Sequence, residues 1–345
     1  EAEKLLAEDA VDLVAFGRSF IADPNWPNKA MRGSEADIAP CIRCLQCYHI
    51  STNRRNVGCS VNPRYHNERF IEKTLMPAAV KKKVVIIGAG PAGIVAAVTA
   101  SKRGHNVILL EKRNRVGGAL HYVAMEHYKE DIKNYLVYLE NQLSKSKVDV
   151  RLNTATTMSM VENMHPDAII VACGAEPLSL NIPGAEQNHV LNFYEAIEHE
   201  ELIKDQTVII GGGTIGAEIA LELAELKGKH VTIIEMGDNL AAQGNMLYKI
   251  ALRQKYEQLK RPIQIYYHTT CNQIDKDHLI ATNKEGVSIK IPAETVIIAA
   301  GVKTNRKLVD SFYGIVPEIY EVGDALKPRK IQEAVFEAYG VAAII

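Results

Sequence analysis

Four of the six cysteines stand within nineteen positions: Cys41, Cys44, Cys47 and Cys59. Cys41-x-x-Cys44-x-x-Cys47 places three thiols at two successive short intervals. That spacing wraps a multi-iron core more readily than the two separated Cys-x-x-Cys knuckles of a zinc site do. The reading is a [4Fe–4S] cluster on these four residues, with tetrahedral zinc as the alternative. A disulfide framework is a poor reading, because nothing marks the chain as secreted.

Two other stretches carry the residue types that hold a dinucleotide. Residues 83–87 form an apolar, β-branched run that reads as a buried parallel strand, and Gly88-x-Gly90-x-x-Gly93 follows at once. In such a turn Gly88 permits the sharp bend, Gly90 lets a pyrophosphate approach the backbone, and Gly93 lets helix and strand pack closely. The helix expected over 95–102 offers free N–H groups and a partial positive charge to the phosphates, and Gly104 is placed to end it. A second apolar strand, 107–110, ends at Glu111, whose carboxylate can accept hydrogen bonds from an adenosine ribose. The pattern recurs as strand 207–210, Gly211-x-Gly213-x-x-Gly216, a helix through 226, Gly228 as its stop, and strand 231–234 ending at Glu235. A lone glycine triplet is a weak sign. Two complete strand–turn–helix–strand–acid units imply two dinucleotides in one chain.

Glu235 also bears on the choice of nicotinamide cofactor. Met236, Gly237, Asp238 and Asn239 follow it and include no base to offset a 2′-phosphate, so the expectation is NADH rather than NADPH. Glu111 is followed instead by Lys112 and Arg113.

The elements that must position these residues fit an α/β chain of two or three domains within 345 residues. Residues 1–8 read as the end of a helix and 11–16 as a strand, with Gly17-Arg18 after it. Residues 77–83 read as a linker. A helix is expected over 132–143, where Ile132, Leu136, Leu139 and Leu143 repeat at three and four. A buried strand over 168–172 leads into Cys173-Gly174, and Ala299-Ala300-Gly301 repeats that ending after a helix over 247–259. The net charge of −1 gives no general pull toward nucleic acid or an anionic membrane. Lys81-Lys82-Lys83 and Arg54-Arg55 read as a solvated linker and a solvated loop. The uncharged run 84–100 contains Pro91 and the glycine triplet and falls short of a membrane span. With no signal peptide either, the expected compartment is the cytoplasm. The opening at Glu1 reads as a cut through a larger protein.

On these residues the chain resembles the C-terminal portion of the 2,4-dienoyl-CoA reductase, enoate reductase and trimethylamine dehydrogenase family, whose (β/α)8 barrel is of the old yellow enzyme kind. The cysteine segment, with Asn62-Pro63 after it, is similar to that family's iron–sulfur linker. Residues 11–18 resemble the end of its barrel, where a Gly-Arg pair helps to hold the FMN phosphate. The resemblance implies that Gly17 and Arg18 match that pair. It implies that the first unit holds FAD beside Gly117-Gly118, and that Gly323-Asp324 completes the site with Asp324 on the ribityl chain. From Lys330 onward the chain reads as a helix whose N-terminus faces the flavin pyrimidine edge. Helix capping is the plain alternative for Asp324, and Cys173 departs from the family's Ala-Thr-Gly.

The implied organisation is a barrel remnant (1–40), a [4Fe–4S] segment (41–76), an FAD domain in two parts (77–185 and 303–345) and an inserted NAD(H) domain (186–302). Both nucleotide domains are Rossmann-like, on the plan of the disulfide reductases. The implied activity is the electron-transfer portion of a reductase. Electrons pass from NADH to FAD, to the cluster, and to an FMN of the intact protein that reduces an activated C=C bond in a small unsaturated molecule. A redox-active cysteine pair is absent, since Cys173 and Cys271 stand apart, and no general acid or base can be named. Two other readings stay open: an NAD(P)H-oxidising subunit serving a separate partner, similar to the small subunit of glutamate synthase, and a zinc-bearing nucleotide sensor. Self-association of the chain stays open too.

Overall fold

The computed structural model describes residues 2–53, 56–69, 75–125 and 127–345. Its frame is a pair of parallel sheets. The first runs in the order Glu318–Glu321, Ala168–Val171, Lys83–Ile87, Asn106–Leu110, Asp149–Arg151. The second runs Val190–Asn192, Thr295–Ile298, Gln206–Ile210, His230–Ile234, Gln264–Tyr266. In each sheet the strand that feeds the glycine turn lies in the middle: Ile87 is opposite both Leu110 and Val171, and Ile210 is opposite both Ile234 and Ile298. These strands are covered on both faces, which is why they read as continuous branched runs rather than alternating ones.

The helix Pro91–Lys102 starts with proline in its first turn, where the missing N–H costs nothing. Five of its eight buried residues are small (Ala92, Gly93, Ala96, Ala97, Ala100), beside Ile94, Val98 and Thr99, and it packs against the first sheet and the last helix, Ile331–Ile344. Thr214–Glu225 has the same place in the second unit. Two short antiparallel strands, Ala175–Pro177 and Val302–Thr304, carry the chain out of the first unit and back again.

Two expectations need correction. Residues 11–16 form no strand; Leu13 is 89% exposed, and no described strand pairs with the segment to satisfy its backbone. The helix Arg18–Ala22 follows directly. Lys82 and Lys83 are not merely solvated: Lys82 Nζ pairs with Glu318 at 2.6 Å and Lys83 Nζ donates to the Met164 carbonyl at 2.6 Å, tying the linker to the sheet edge. Arg54-Arg55 lies outside the described residues. Among the described residues, no helix is long and apolar enough to cross a membrane.

Candidate functional site

Both glycine turns are built alike, and each glycine answers to a different constraint. Gly88 and Gly211 have φ of +100° and +109°, and a Cβ on either would press into the carbonyl of Ala172 or Ala299 at the end of the neighbouring strand. A Cβ on Gly93 or Gly216 would collide with the carbonyl oxygen of the first glycine of its own turn. Gly90 and Gly213 differ. They have ordinary backbone angles. Nothing lies within 4 Å of a Cβ on Gly213, and on Gly90 only the Gly118 Cα comes as near as 4.0 Å. Their missing side chains keep open the space in front of two helix N-termini, and that space suits a pyrophosphate.

Each acid that ends a second strand also holds its own turn together. Glu111 Oε2 accepts the Ala89 N–H at 2.8 Å and Oε1 accepts the Arg113 N–H at 2.9 Å. Glu235 repeats the arrangement with the N–H groups of Gly212 and Gly237, both at 2.6 Å. A carboxylate has roughly four acceptor positions, so each keeps capacity for ribose hydroxyls. The units differ at the second turn position. Ala89 fits there, but a Cβ on Gly212 would lie 2.6 Å from Leu240 Cδ2.

The Gly117 N–H donates to the Ala89 carbonyl at 2.7 Å, and a Cβ on Gly118 would lie 2.9 Å from Gly90 Cα, so this loop rests on the open glycine of the first turn. Gly323 packs on Ala92 and Ala334 and donates its N–H to Glu337 at 2.9 Å. Asp324 Oδ1 accepts the Arg329 N–H at 3.0 Å, and burial pushes its carboxyl above the usual range. The N-cap of Ile331–Ile344 is Lys330, so Asp324 does not cap that helix.

The four cysteines line one small pocket, together with Arg18 and the apolar side chains of Ile21, Ile42, Leu45 and Val61. Arg43 and Leu45, on either side of Cys44, have φ of +48° and +56°, a conformation that non-glycine residues adopt at a cost. Burial pushes the Cys59 thiol up to about 11 and raises that of Cys47, so thiolates here need a positive partner. Among the described residues, no group of three or more His, Cys, Asp and Glu side chains is placed to hold a metal ion. Four thiols around one pocket are residues of the type that a multi-iron core would need. Gly17 precedes the helix that Arg18 opens, so the residue matched to an FMN phosphate ligand borders the cysteine pocket.

Several contacts that draw the units together have no local signal in the sequence. The rings of Tyr122 and Tyr194 stand 3.9 Å apart between centroids, with Arg113 5.0 Å from the Tyr122 ring centroid. The Tyr122 hydroxyl donates to Glu198 at 2.7 Å. Glu218 takes Lys129 at 2.6 Å and the Tyr248 hydroxyl at 2.8 Å. The Asn245 side chain donates to the Cys44 carbonyl at 3.1 Å, which ties the second unit to the cysteine loop. Arg43 forms a two-pronged pair with Asp131 in the helix Glu130–Ser144.

The profile of the pyridine nucleotide-disulphide oxidoreductase family matches residues 82–338. The chain is 33% identical to the bilirubin reductase of Mediterraneibacter gnavus over 346 aligned positions, covering 100% of this chain and 53% of that protein. It is 36% identical to the NADH oxidase of Thermoanaerobacter brockii, covering 99% of this chain and 53% of that one. A solved structure of 2-naphthoyl-CoA reductase in complex with 2-naphthoyl-CoA superposes with a TM-score of 0.94 at 31% identity, over 100% of this chain and 52% of that chain. The chain thus spans about half the length of these relatives.

Proposed function

The chain belongs to the pyridine nucleotide-disulphide oxidoreductase family, and on that premise we propose that it is the NADH-oxidising, electron-transferring portion of an iron–sulfur flavoprotein reductase. FAD in the first unit takes electrons as a hydride from NADH in the second and releases them singly to a [4Fe–4S] cluster, for delivery to an FMN that reduces an activated C=C bond. The observation that carries this reading is the pocket shared by Cys41, Cys44, Cys47 and Cys59, whose walls Ile42 and Val61 belong to the same core as the first unit. A cluster on these cysteines would pack against the candidate flavin unit.

The residues divide the work. Gly88, Gly90 and Gly93 shape the FAD pyrophosphate site, Glu111 reads its ribose, and Gly117, Gly118, Gly323 and Asp324 surround the rest of the cofactor. Gly211, Gly213, Gly216 and Glu235 do the same for NADH. Arg18 sets a positive charge beside the cysteines. Cys173 is half-buried at the end of the first sheet and Cys271 is buried in the second unit, so neither serves as half of a disulfide exit. Relatives named as reductases of bilirubin and of 2-naphthoyl-CoA support a conjugated, unsaturated substrate, and one named NADH oxidase supports the donor. The test is anaerobic turnover of NADH with ferricyanide, which takes one electron per ion and so two per hydride. Sustained turnover that disappears when FAD is stripped is expected. An FAD-loaded chain that leaves NADH unoxidised would refute the reading.

A further inference from the structure

The segment 237–245 leaves the second glycine turn and ends at the cysteine loop, and it is fastened at both places. At its start the Gly237 N–H donates to Glu235 Oε1 at 2.6 Å. In its middle the Ala241 N–H donates to the Gly212 carbonyl at 2.7 Å. Ala241 has a left-handed φ of +47° and is buried against Ala217 and Leu221 of the helix Thr214–Glu225. At its end Asn245 is buried with both ends of its amide in use. Oδ1 accepts the Tyr248 N–H at 2.9 Å, capping the helix Met246–Glu257, and Nδ2 donates to the Cys44 carbonyl at 3.1 Å. The cap fixes which way the amide faces, since only its oxygen can accept that N–H. Cys44 itself lies between Arg43 and Leu45, both left-handed, and such a backbone persists only where its surroundings hold it. Two grips do so: Asp131 of the first unit takes Arg43, and Asn245 of the second takes the Cys44 carbonyl.

We infer that Asn245 is a positioning residue by which the nicotinamide unit holds the cysteine loop, so that a nucleotide seated on the second glycine turn tightens that loop through segment 237–245. This rests on the proposed nucleotide site and, for its bearing on electron transfer, on the proposed cluster. The coupling has a physical origin at the nucleotide end. A ribose on Glu235 and a pyrophosphate against Gly213 both load groups to which the segment is already fastened, and this narrows the arrangements open to it. An ordered segment keeps Asn245 on the Cys44 carbonyl. Arrival of the electron donor is thereby felt at the thiols proposed to carry the electrons away.

The test alkylates the FAD-loaded, iron-stripped full chain with iodoacetamide, with and without saturating NAD+, and follows each thiol by mass spectrometry. Cys41 and Cys47 are half-buried on either side of the exposed Cys44, so their reaction rates report how firmly the loop is held. In the wild type NAD+ is expected to slow both about fivefold or more. N245D retains an acceptor for the Tyr248 N–H and so retains the cap, but it presents no donor to Cys44. It is expected to react about tenfold faster without nucleotide, as the loss of one buried hydrogen bond allows, and to show no response to NAD+. N245A loses the cap as well, so it should show the same thiol rates with a lower Tm than N245D. A wild-type response to NAD+ in N245D would overturn the inference, as would unchanged rates in the wild type when calorimetry shows NAD+ bound. A chain that binds no NAD+ refutes the nucleotide site and the inference together. A chain purified without iron refutes the cluster alone, because the alkylation rates still decide the role of Asn245.

Discussion

Glu235 Oε2 lies 2.6 Å from the backbone nitrogen of Gly212, so the acid proposed to read the nicotinamide dinucleotide's ribose also closes the turn proposed to receive its phosphates. The other oxygen is held equally close by Gly237, and no basic residue stands in 236–239. A 2′-phosphate would face this carboxylate directly. NADH is expected to exceed NADPH in kcat/KM by roughly tenfold or more. E235Q should cost about 1–3 kcal/mol of stability, because its amide nitrogen would confront an N–H donor. Steady-state kinetics with both nucleotides and urea unfolding check these points, and a preference for NADPH in the wild type would show that Glu235 does not select the ribose.

The two kinds of turn glycine should separate cleanly. G213A places its methyl group in open space with acceptable backbone angles, so it should fold with nearly unchanged Tm yet lose NADH affinity at least about tenfold. G216A drives a methyl group into the Gly211 carbonyl and should destabilise by roughly 3 kcal/mol or more. Calorimetry and nucleotide titration distinguish them. Equal thermal damage in both variants would contradict the assignment of Gly213 to the phosphate.

Anaerobic purification should return about four irons per chain with a broad visible shoulder beside the flavin peaks. Replacing Cys41, Cys44, Cys47 or Cys59 by serine should remove iron, whereas replacing Cys173 or Cys271 should not. Stoichiometric zinc with negligible iron would assign the pocket to a structural ion instead.

Arg306 Nη1 lies 2.6 Å from Glu321 Oε2, and the Tyr313 hydroxyl donates to the same carboxylate at 2.5 Å. Arg306 chiefly, then Tyr313, hold the Glu321 carboxyl below its usual range against the effect of burial. A folded-state pKa below the unfolded one stabilises above the unfolded value of about 4.3, and the contribution is lost as pH falls through the folded value. R306A should therefore destabilise the chain only slightly at pH 7, the Arg306 side chain being 48% exposed. The difference should vanish in acid. Unfolding curves at neutral and acid pH provide the check, and a gap that widens in acid would reverse the sign.

The chain alone should leave enoates untouched while it passes electrons from NADH to ferricyanide, because the residues that resemble the barrel end supply only Gly17 and Arg18. Reduction of an α,β-unsaturated acid or thioester by this chain, followed by product analysis, would move the substrate site into the residues described above.

What was legible in the sequence was what is local. The glycine turns and their terminal acids are spelled within about thirty residues, and the four cysteines within nineteen positions. Residues 11–16 misled because a branched apolar run is a strand only when another backbone pairs with it, a condition outside the run itself. The contact of Gln332 with Gly58, the tilted packing of Tyr122 on Tyr194 and the bond from Asn245 to Cys44 join distant parts of the chain through side chains that many positions could carry. No spacing announces them. Arg18 was singled out for a phosphate, and only its placement beside Cys41 and Cys59 brought in the cysteines.

The edge strand Glu318–Glu321 pairs with Ala168–Val171 across the whole length of the second unit. During synthesis, then, Ala168–Val171 leaves the ribosome with one side of its backbone unpaired and waits for residues 172–317 to be made. At about 5–20 residues per second that is roughly 7–30 s, long enough for a nascent chain with an open edge to need protection from its neighbours. The second sheet, contiguous between Val190 and Ile298, is complete before that wait ends. The unit that begins first is the one that finishes last.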